Sequence, residues 1–163
     1  MAGNNQLHQI NMQYSNKEDR ILLRTSTKNN DEYLIWLTRR YVKLLLDIFD
    51  KEIEKRGGTT TLSSQKETKK FYKEGGFEKP YVEETEKTHP LGEEGVLAFG
   101  IKTGNDEQGN FVLILQSESG QGITYNLNDS LLYVFYSLLM QSIERAEWQL
   151  GQLGESASNS QIH

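Results

Sequence analysis

A repeated order of short apolar runs and polar turns is the feature of this sequence that most constrains its fold. Residues 8–57 contain three apolar runs of strand length, two polar turns and then a stretch of helical periodicity, and residues 95–150 repeat this order. Short runs bounded by Gly, Asn, Asp and Ser are typical of strands, whereas a 3.6-residue apolar period is typical of a helix. The sequence therefore predicts an α+β protein made of two strand-strand-strand-helix units, in which antiparallel meanders pack on two long helices.

Capping residues predict where the two helices begin and end. Thr38 precedes the apolar-periodic stretch RRYVKLLLDIFDKEIEKR and Gly57 follows it, so that a helix is predicted over residues 39–56. In the second unit Asn128 takes the place of Thr38, and the helix is predicted over about residues 130–150. The match in sequence between the two units is slight, so the shared order of elements is what relates them.

The residues outside the two units are polar. Residues 58–94 carry six Lys, eight Glu and both prolines of the chain, and we expect them to form a polar bridge, in which residues from 78 onward are an extended, solvated tether. A capping-box pattern that starts at Ser64 predicts a short helix over residues 65–74 within this bridge. Residues 1–7 are predicted to be a flexible N-terminus and residues 151–163 a disordered tail.

Composition and charge exclude several classes of function. The 163-residue chain has no Cys, which excludes disulfides and Cys-ligated zinc. Its net charge of −5 argues against a protein that coats duplex nucleic acid, because phosphate binding is driven by clustered positive charge. No run of eighteen apolar residues occurs, and the first residues are neither basic nor apolar. We therefore expect a cytoplasmic protein that does not engage a membrane.

Residue patterns typical of catalysis are sparse. The histidines are His8, His89 and His163, and the predicted elements place none of them beside a Ser or a carboxylate. The loop at residues 105–110 offers oxygen ligands but lacks the spacing of a calcium loop, so a polar hairpin turn is expected there. The sequence thus predicts a protein that is not an enzyme, with no cofactor and no metal.

Trp36 and the cations that follow it form a candidate partner-binding patch. Arg39, Arg40 and Lys43 lie within about one helical turn of the strand that carries Trp36. Two arginines at a helix start oppose the helix dipole. The first expectation is that an internal acid such as Glu18, Asp19 or Asp31 holds them, and the alternatives are an anionic partner or no role at all. Aromatic rings and cations together also suit a single-stranded nucleic acid. The second unit, with two basic and six acidic side chains, disfavours that alternative.

The final predicted helix has more apolar surface than one core face requires. Its candidate self-association residues are Leu132, Tyr133, Phe135, Tyr136 and Leu139. A helix that is apolar on every side must be covered on every side, either by its own chain or by another one. The first alternative makes the helix central within a monomer, and the second makes it an interface. We expect a homodimer with residues 130–150 at or beside the seam, and a further protein partner of unknown identity.

The segments QYSNKEDRILLR and EYLIWLTRRYVKLLL resemble an uncharacterised family of short bacterial proteins that share a QY…EDRILLR…WLTRR pattern. The resemblance covers roughly residues 9–46 and, more loosely, the final helix. It implies a bacterial cytoplasmic setting, and because that family has no assigned activity it carries over no catalytic residue. The function expected from the sequence is a non-catalytic protein-interaction or assembly module that self-associates. The alternative is a single-stranded nucleic-acid-binding protein that uses Trp36 and the Arg and Lys clusters.

Overall fold

The protein combines strands and helices along the whole of the chain that can be described. The computed structural model describes residues 7–66, 68–69 and 87–148. In chain order the elements are β1 (Leu7–Ser15), β2 (Arg20–Thr27), β3 (Glu32–Leu37), α1 (Arg39–Lys55), α2 (Gly58–Ser63), β4 (Val96–Leu97), β5 (Gly100–Asn105), β6 (Phe111–Gln116), β7 (Gly122–Leu127) and α3 (Asp129–Ala146). The predicted α+β class is confirmed. Most of the predicted flexible N-terminus, most of the predicted helix at 65–74 and the whole predicted tail lie outside the described residues.

The first sheet has the strand order β1-β2-β3-β4, and alternating side chains of its strands form the buried face. Met12, Leu23 and Ile35 are paired across the antiparallel strands β1, β2 and β3, and all three side chains are buried. The two tight turns between these strands each place one residue at positive φ, Asp19 at 53° and Asn30 at 63°. Asp and Asn tolerate this left-handed conformation better than other residues with a side chain, which is why these positions turn the chain.

The first apolar run of the second unit, which the sequence predicts as one strand at residues 96–102, is divided between β4 and β5, and this stretch connects the two sheets. β4 runs parallel to β3, whereas β5, β6 and β7 form an antiparallel second sheet. The amide of Ala98 donates to the carbonyl of Trp36 at 2.9 Å, and the next amide, of Phe99, donates to the carbonyl of Gln116 at 2.7 Å. Successive amides of a strand point to opposite sides. The chain from β4 into β5 therefore lies between β3 and β6 and joins the sheets edge to edge.

One core is shared by both sheets, by α1 and by α3. The ring of Phe135 in α3 lies 5.4 Å from the ring of Phe49 in α1 and 5.4 Å from that of Tyr125 in β7. The hydroxyls of Thr25 and Tyr125 are 3.1 Å apart and buried, so that a hydrogen bond joins β2 to β7 through the core. The two halves of the chain thus bury their apolar faces together.

The predicted helix caps are present. The Thr38 side chain accepts from the amide of Tyr41 at 3.1 Å, and the Asn128 side chain accepts from the amide of Leu131 at 2.8 Å. Each bond satisfies one of the amides that a helix N-terminus leaves without an intrahelical partner. Gly57, at φ 108°, follows α1 and donates to the carbonyl of Glu54, as expected of a helix stop.

The end of α3 differs from its prediction. The helix ends at Ala146, and the prediction that it continues through residue 148 is wrong. Glu147 takes a left-handed conformation, with φ 60°, and the amide of Trp148 then donates to the carbonyl of Ile143 at 3.2 Å. This reversal turns the Trp148 ring back onto the body of the protein, where it is buried.

The described part of the bridge between the predicted units is not a solvated tether. Thr88 forms a parallel bridge at the start of β3, and Leu91 is buried. His89 Nε2 lies 2.8 Å from Glu32 Oε1, and the Glu32 side chain is itself buried. The expectation of a solvated bridge is therefore wrong for residues 87–95, because backbone pairing and a buried carboxylate attach this stretch to β3.

Candidate interaction surface

The end of the molecule at which β3 finishes gathers several exposed side chains. Because β4 is parallel to β3, residues 97–99 lie beside residues 36–38. The β1–β2 turn is at the same end, since Ile21 is paired with Leu37. The β6–β7 turn is there too, because it follows Gln116, which bonds to residue 99. We call this region the strand-end surface, and it comprises Trp36, Arg39, Arg40, Lys43, Leu44, Glu94, Leu97, Phe99 and Glu118.

Large apolar side chains are exposed at the centre of the strand-end surface. Phe99 is 69% exposed and Leu97 is 42% exposed. Both side chains line the same cleft, so they are neighbours. Together with Val96 and the β6–β7 turn they line an open cleft of about 540 Å³. A cluster of exposed apolar side chains of this kind marks a contact surface better than isolated ones do.

Leu44 of α1 is a further exposed apolar side chain of the strand-end surface. It is 55% exposed and lies one helical turn after Tyr41. The Tyr41 hydroxyl donates to the carbonyl of Gly100 at 3.0 Å, which fixes the first turns of α1 beside the residue that follows Phe99. Burial raises the pKa of Tyr41, so its hydroxyl stays a donor over the ordinary pH range.

Trp36 is half-buried by a tight loop that crosses the outer face of β3. Its indole N–H donates to the carbonyl of Glu94 at 3.1 Å. The loop approaches β3 closely at Gly95, where a Cβ would lie 2.5 Å from the carbonyl oxygen of Leu34 and where φ is 78°. Only glycine suits both conditions. One side of Trp36 is therefore fixed within the chain.

The cations of the predicted patch are exposed on the first turns of α1. Among the described residues, no acid forms an ion pair with Arg39, Arg40 or Lys43. The pKa of Asp19 is lowered mainly by a hydrogen bond from Tyr14, and the charge of Arg39 adds to this effect from a greater distance. The expectation that a direct internal ion pair holds the two arginines is therefore wrong for the part of the chain that is described.

Two exposed acids belong to the loops of the strand-end surface. Glu94 belongs to the loop that packs on the outer face of β3, whereas α1 packs on the inner face. Glu118, in the β6–β7 turn, lines the cleft beside Leu97 and Phe99. The strand-end surface thus combines exposed cations on α1 with exposed apolar and acidic side chains on the loops and on the β4–β5 connection.

The residues predicted for self-association on α3 have a different place. Leu132, Phe135 and Leu139 are fully buried in the core of the single chain, which leaves them no surface for a second copy. Tyr133 and Tyr136 are half-buried, and Tyr136 is hydrogen-bonded to Asp50 of α1. The physical reason is that strands and α1 of the same chain cover α3, so the alternative in which this helix is central describes the structure.

A polar clasp that the sequence analysis missed joins α1 to α3. Arg56 donates to Glu52 at 2.8 Å, to Asp129 at 2.8 Å and to the carbonyl of Gly109 at 3.0 Å. Burial alone would lower the pKa of Arg56, but hydrogen bonds to Asp129 and Glu52 raise it overall. Because its donors are used within the chain, Arg56 is a structural residue. The sequence offers only a weak signal for it, a cation next to the Gly57 helix stop.

A second clasp holds the end of α3 against the β1–β2 turn. The Tyr14 hydroxyl donates to Asp19 Oδ1 at 2.6 Å, and the Trp148 indole N–H donates to the same oxygen at 3.2 Å. The two aromatic rings meet edge to face, with centroids 5.7 Å apart. Sequence periodicity gives no indication of this contact, because the residues are more than a hundred positions apart.

Searches for a metal site, a membrane span and relatives give negative results. Within residues 7–66, 68–69 and 87–148, no three His, Asp or Glu side chains are grouped so that they would hold a metal ion. None of the helices in these ranges is long and apolar enough to cross a membrane. Comparison with family models, curated proteins and solved structures finds no match for this chain. The resemblance to the QY…EDRILLR…WLTRR family therefore stays a prediction.

Proposed function

We propose that this protein is a non-catalytic interaction and assembly module that self-associates through the strand-end surface. The observation that carries the proposal is the exposure of Phe99, whose ring is more than two-thirds exposed beside Leu97. Aromatic anchors at the centre of an interface supply most of its binding energy, because they bury a large rigid surface at small entropic cost. The same surface contains all four residues of the patch that the sequence predicts, Trp36, Arg39, Arg40 and Lys43.

The proposal includes the finer organisation expected from the sequence. We take the two halves of the chain to be equivalent strand-strand-strand-helix units of a bacterial cytoplasmic protein. The likeness of the two helix starts supports this: Thr38 and Asn128 each follow a fully buried leucine and each cap the amide three residues on. The absence of Cys from the sequence suits a reducing compartment.

Light scattering on the wild type and on Phe99→Asp tests the proposal. We expect the wild type to have twice the chain mass of 18.7 kDa at high micromolar concentration. Phe99→Asp should weaken the dimer by roughly 30-fold, the equivalent of a hot-spot cost of about 2 kcal/mol. Thr103→Asp, at an exposed position of β5, is the matched control and should remain a dimer. Circular dichroism checks that both variants are folded.

A wild type that stays at the monomer mass at high micromolar concentration contradicts the self-association that we propose. So does a folded Phe99→Asp variant that dimerises as well as Thr103→Asp. In either case Leu97 and Phe99 would not form the dimer contact. Phe99 is the decisive position because no other aromatic side chain of the described residues is as exposed.

Single-stranded nucleic acid is the second candidate, because Arg39, Arg40 and Lys43 are exposed beside aromatic side chains. Fluorescence anisotropy of a labelled oligonucleotide measures this directly. If it binds, Arg40→Glu should weaken binding and added salt should weaken it further. The acids Glu94 and Glu118 on the same surface oppose a polyanion, which is why self-association is preferred.

A further inference from the structure

One edge of β4 has no neighbouring strand among the described residues. β4 is the last strand of its sheet, where it pairs with β3. β6 pairs with β5 from Gly100 onward, but it ends at Gln116 and does not continue beside β4. The chain turns back there, and the amide of Ser117 donates to the carbonyl of Gln121 at 2.7 Å. A gap therefore lies beside β4, at the place where a longer β6 would run.

The backbone of Leu97 points into this gap. The amide of Ala98 donates to the carbonyl of Trp36 in β3. In a trans peptide group the carbonyl, here that of Leu97, points in the opposite direction. The amide and the carbonyl of an extended residue lie on the same side, so both groups of Leu97 face away from β3. On that side no described residue bonds to them. They form a short, open strand edge.

The gap coincides with the open cleft of about 540 Å³. Val96, Leu97 and Phe99 line one wall of this cleft, and the β6–β7 turn lines the other. The first wall thus offers a backbone donor, a backbone acceptor and exposed apolar side chains. An extended peptide segment satisfies all of these at once, because its backbone pairs with the strand edge while its side chains cover Phe99.

The charges at the cleft are acidic. Glu118 lines it, and no described Lys or Arg does. Glu93 and Glu94 are exposed directly before Gly95 and β4, and so add negative charge at one end of the same wall. Complementary charge selects partners and disfavours wrong ones. A segment with basic side chains therefore fits this cleft better than an acidic segment or a nucleic acid strand.

We infer that the cleft binds an extended segment of a partner protein, which adds to β4 as a strand and presents apolar and basic side chains. This inference goes beyond the proposed self-association and does not depend on it, because the partner is a different protein. Phe99 lines the cleft and is also the proposed dimer contact. The bound segment and a second copy therefore compete for the same side chain.

A short peptide of alternating valine and lysine, with blocked ends, is the probe. The full-length protein is attached sparsely to a biosensor through a C-terminal tag, so that copies do not pair, and the peptide is titrated over it. We expect binding at micromolar concentration. The same peptide with every amide nitrogen methylated cannot donate to the carbonyl of Leu97, and should bind at least about tenfold more weakly. The peptide with glutamate in place of lysine should also bind at least about tenfold more weakly.

Three results with these peptides would overturn the inference. The first is that the valine-lysine peptide does not bind. The second is that the methylated peptide binds equally well, since the backbone would then not pair with β4. The third is that the glutamate peptide binds equally well, since the acids would then not select the partner.

Charge reversal in the β6–β7 turn tests the location. Glu118→Lys should weaken binding of the valine-lysine peptide about tenfold, because it places a cation in the cleft. Glu107→Lys, at an exposed position of the β5–β6 turn, is the matched control and should bind like the wild type. Circular dichroism checks that both variants are folded. Unchanged binding by Glu118→Lys, or an equal loss in both variants, contradicts binding in the cleft.

Light scattering with and without saturating peptide separates this inference from the proposed function. A wild type that is a monomer but binds the peptide contradicts self-association and leaves the inference standing. A dimer whose attached copies do not bind the peptide contradicts the inference and leaves self-association standing. A dimer that binds the peptide and falls to the monomer mass supports both. Binding that leaves the dimer intact contradicts the competition for Phe99.

Discussion

The helices α1 and α3 begin alike but differ in how much of their surface is buried. Both start with a capped turn after a buried strand, and they have 17 and 18 residues. α1 buries one face and exposes charged side chains on the other, among them Lys43 and Lys51. α3 is covered nearly all round, and its exposed residues lie in its last turns, at Gln141, Glu144 and Arg145. The two helices therefore have different neighbours within one fold.

This difference shows that apolar content measures how much of a helix is buried and does not identify what buries it. The sequence of α3 suggests an interface, yet Phe135 and its neighbours are covered by the same chain. The exposed apolar side chains are instead on the strand-end surface, at Leu97 and Phe99. Exposed apolar surface is thus found on a strand connection, where two sheets meet and where no helix of the described residues covers the outer face.

The largest expected effect would break the packing of α3. Phe135→Ala should lower the free energy of unfolding by about 3–5 kcal/mol, because it removes a fully buried ring that contacts Phe49 and Tyr125. The control change on α1, Glu54→Ala, should shift it by no more than about 0.5 kcal/mol, because that side chain is exposed and lies outside the strand-end surface. Urea unfolding at equal protein concentration measures both. Similar losses of stability for the two variants would mean that the two positions do not differ in burial.

The second-largest expected effect concerns the contact between the end of α1 and the start of α3. Arg56→Ala should lower the free energy of unfolding by about 1–3 kcal/mol, because it leaves Glu52 and Asp129 without their shared, mostly buried partner. The exposed ion pair between Lys51 and Asp47 is the control, and its removal should cost about 0.5 kcal/mol or less. A double-mutant cycle of Arg56→Ala with Asp129→Ala measures their coupling. Strict additivity would show that the clasp does not connect α1 to α3.

The smallest expected change in stability concerns the hydrogen bonds that Asp19 accepts at the end of α3. Hydrogen bonds from Tyr14 and Trp148 hold the pKa of Asp19 below its usual range. A carboxyl whose pKa is lower in the folded state adds stability above its unfolded pKa of about 3.9, and this stability is lost as the pH falls through the folded pKa. Asp19→Asn should thus be less stable than the wild type at neutral pH, and the difference should disappear in acid.

Urea midpoints followed by circular dichroism across the acid range check this prediction. Asn tolerates the positive φ of position 19, so backbone strain does not obscure the result. Glu54→Gln, on the exposed face of α1, is the control and should follow the pH dependence of the wild type. A difference between Asp19→Asn and the wild type that persists unchanged in acid would show that the charge of Asp19 does not contribute to the clasp.

Local patterns in the sequence predict much of the fold. The strands β1, β2, β3, β6 and β7, the caps at Thr38 and Asn128 and the stop at Gly57 all follow from short-range rules on alternation and on satisfying backbone amides. The predicted patch also has its cations exposed, because Arg and Lys on a charged helix face remain in water. These features depend on residues within a few positions of each other, so one sequence is enough to predict them.

The sequence alone therefore predicts the type and the ends of most elements, since these depend on local hydrogen bonding and periodicity. Only the tertiary structure decided that β4 pairs with β3, that α3 is covered by its own chain, and that Leu97 and Phe99 stay exposed. In the sequence the apolar residues of α3 and of the β4–β5 stretch are alike. Which of them is buried depends on long-range packing, where a side chain is covered only if a distant part of the chain reaches it.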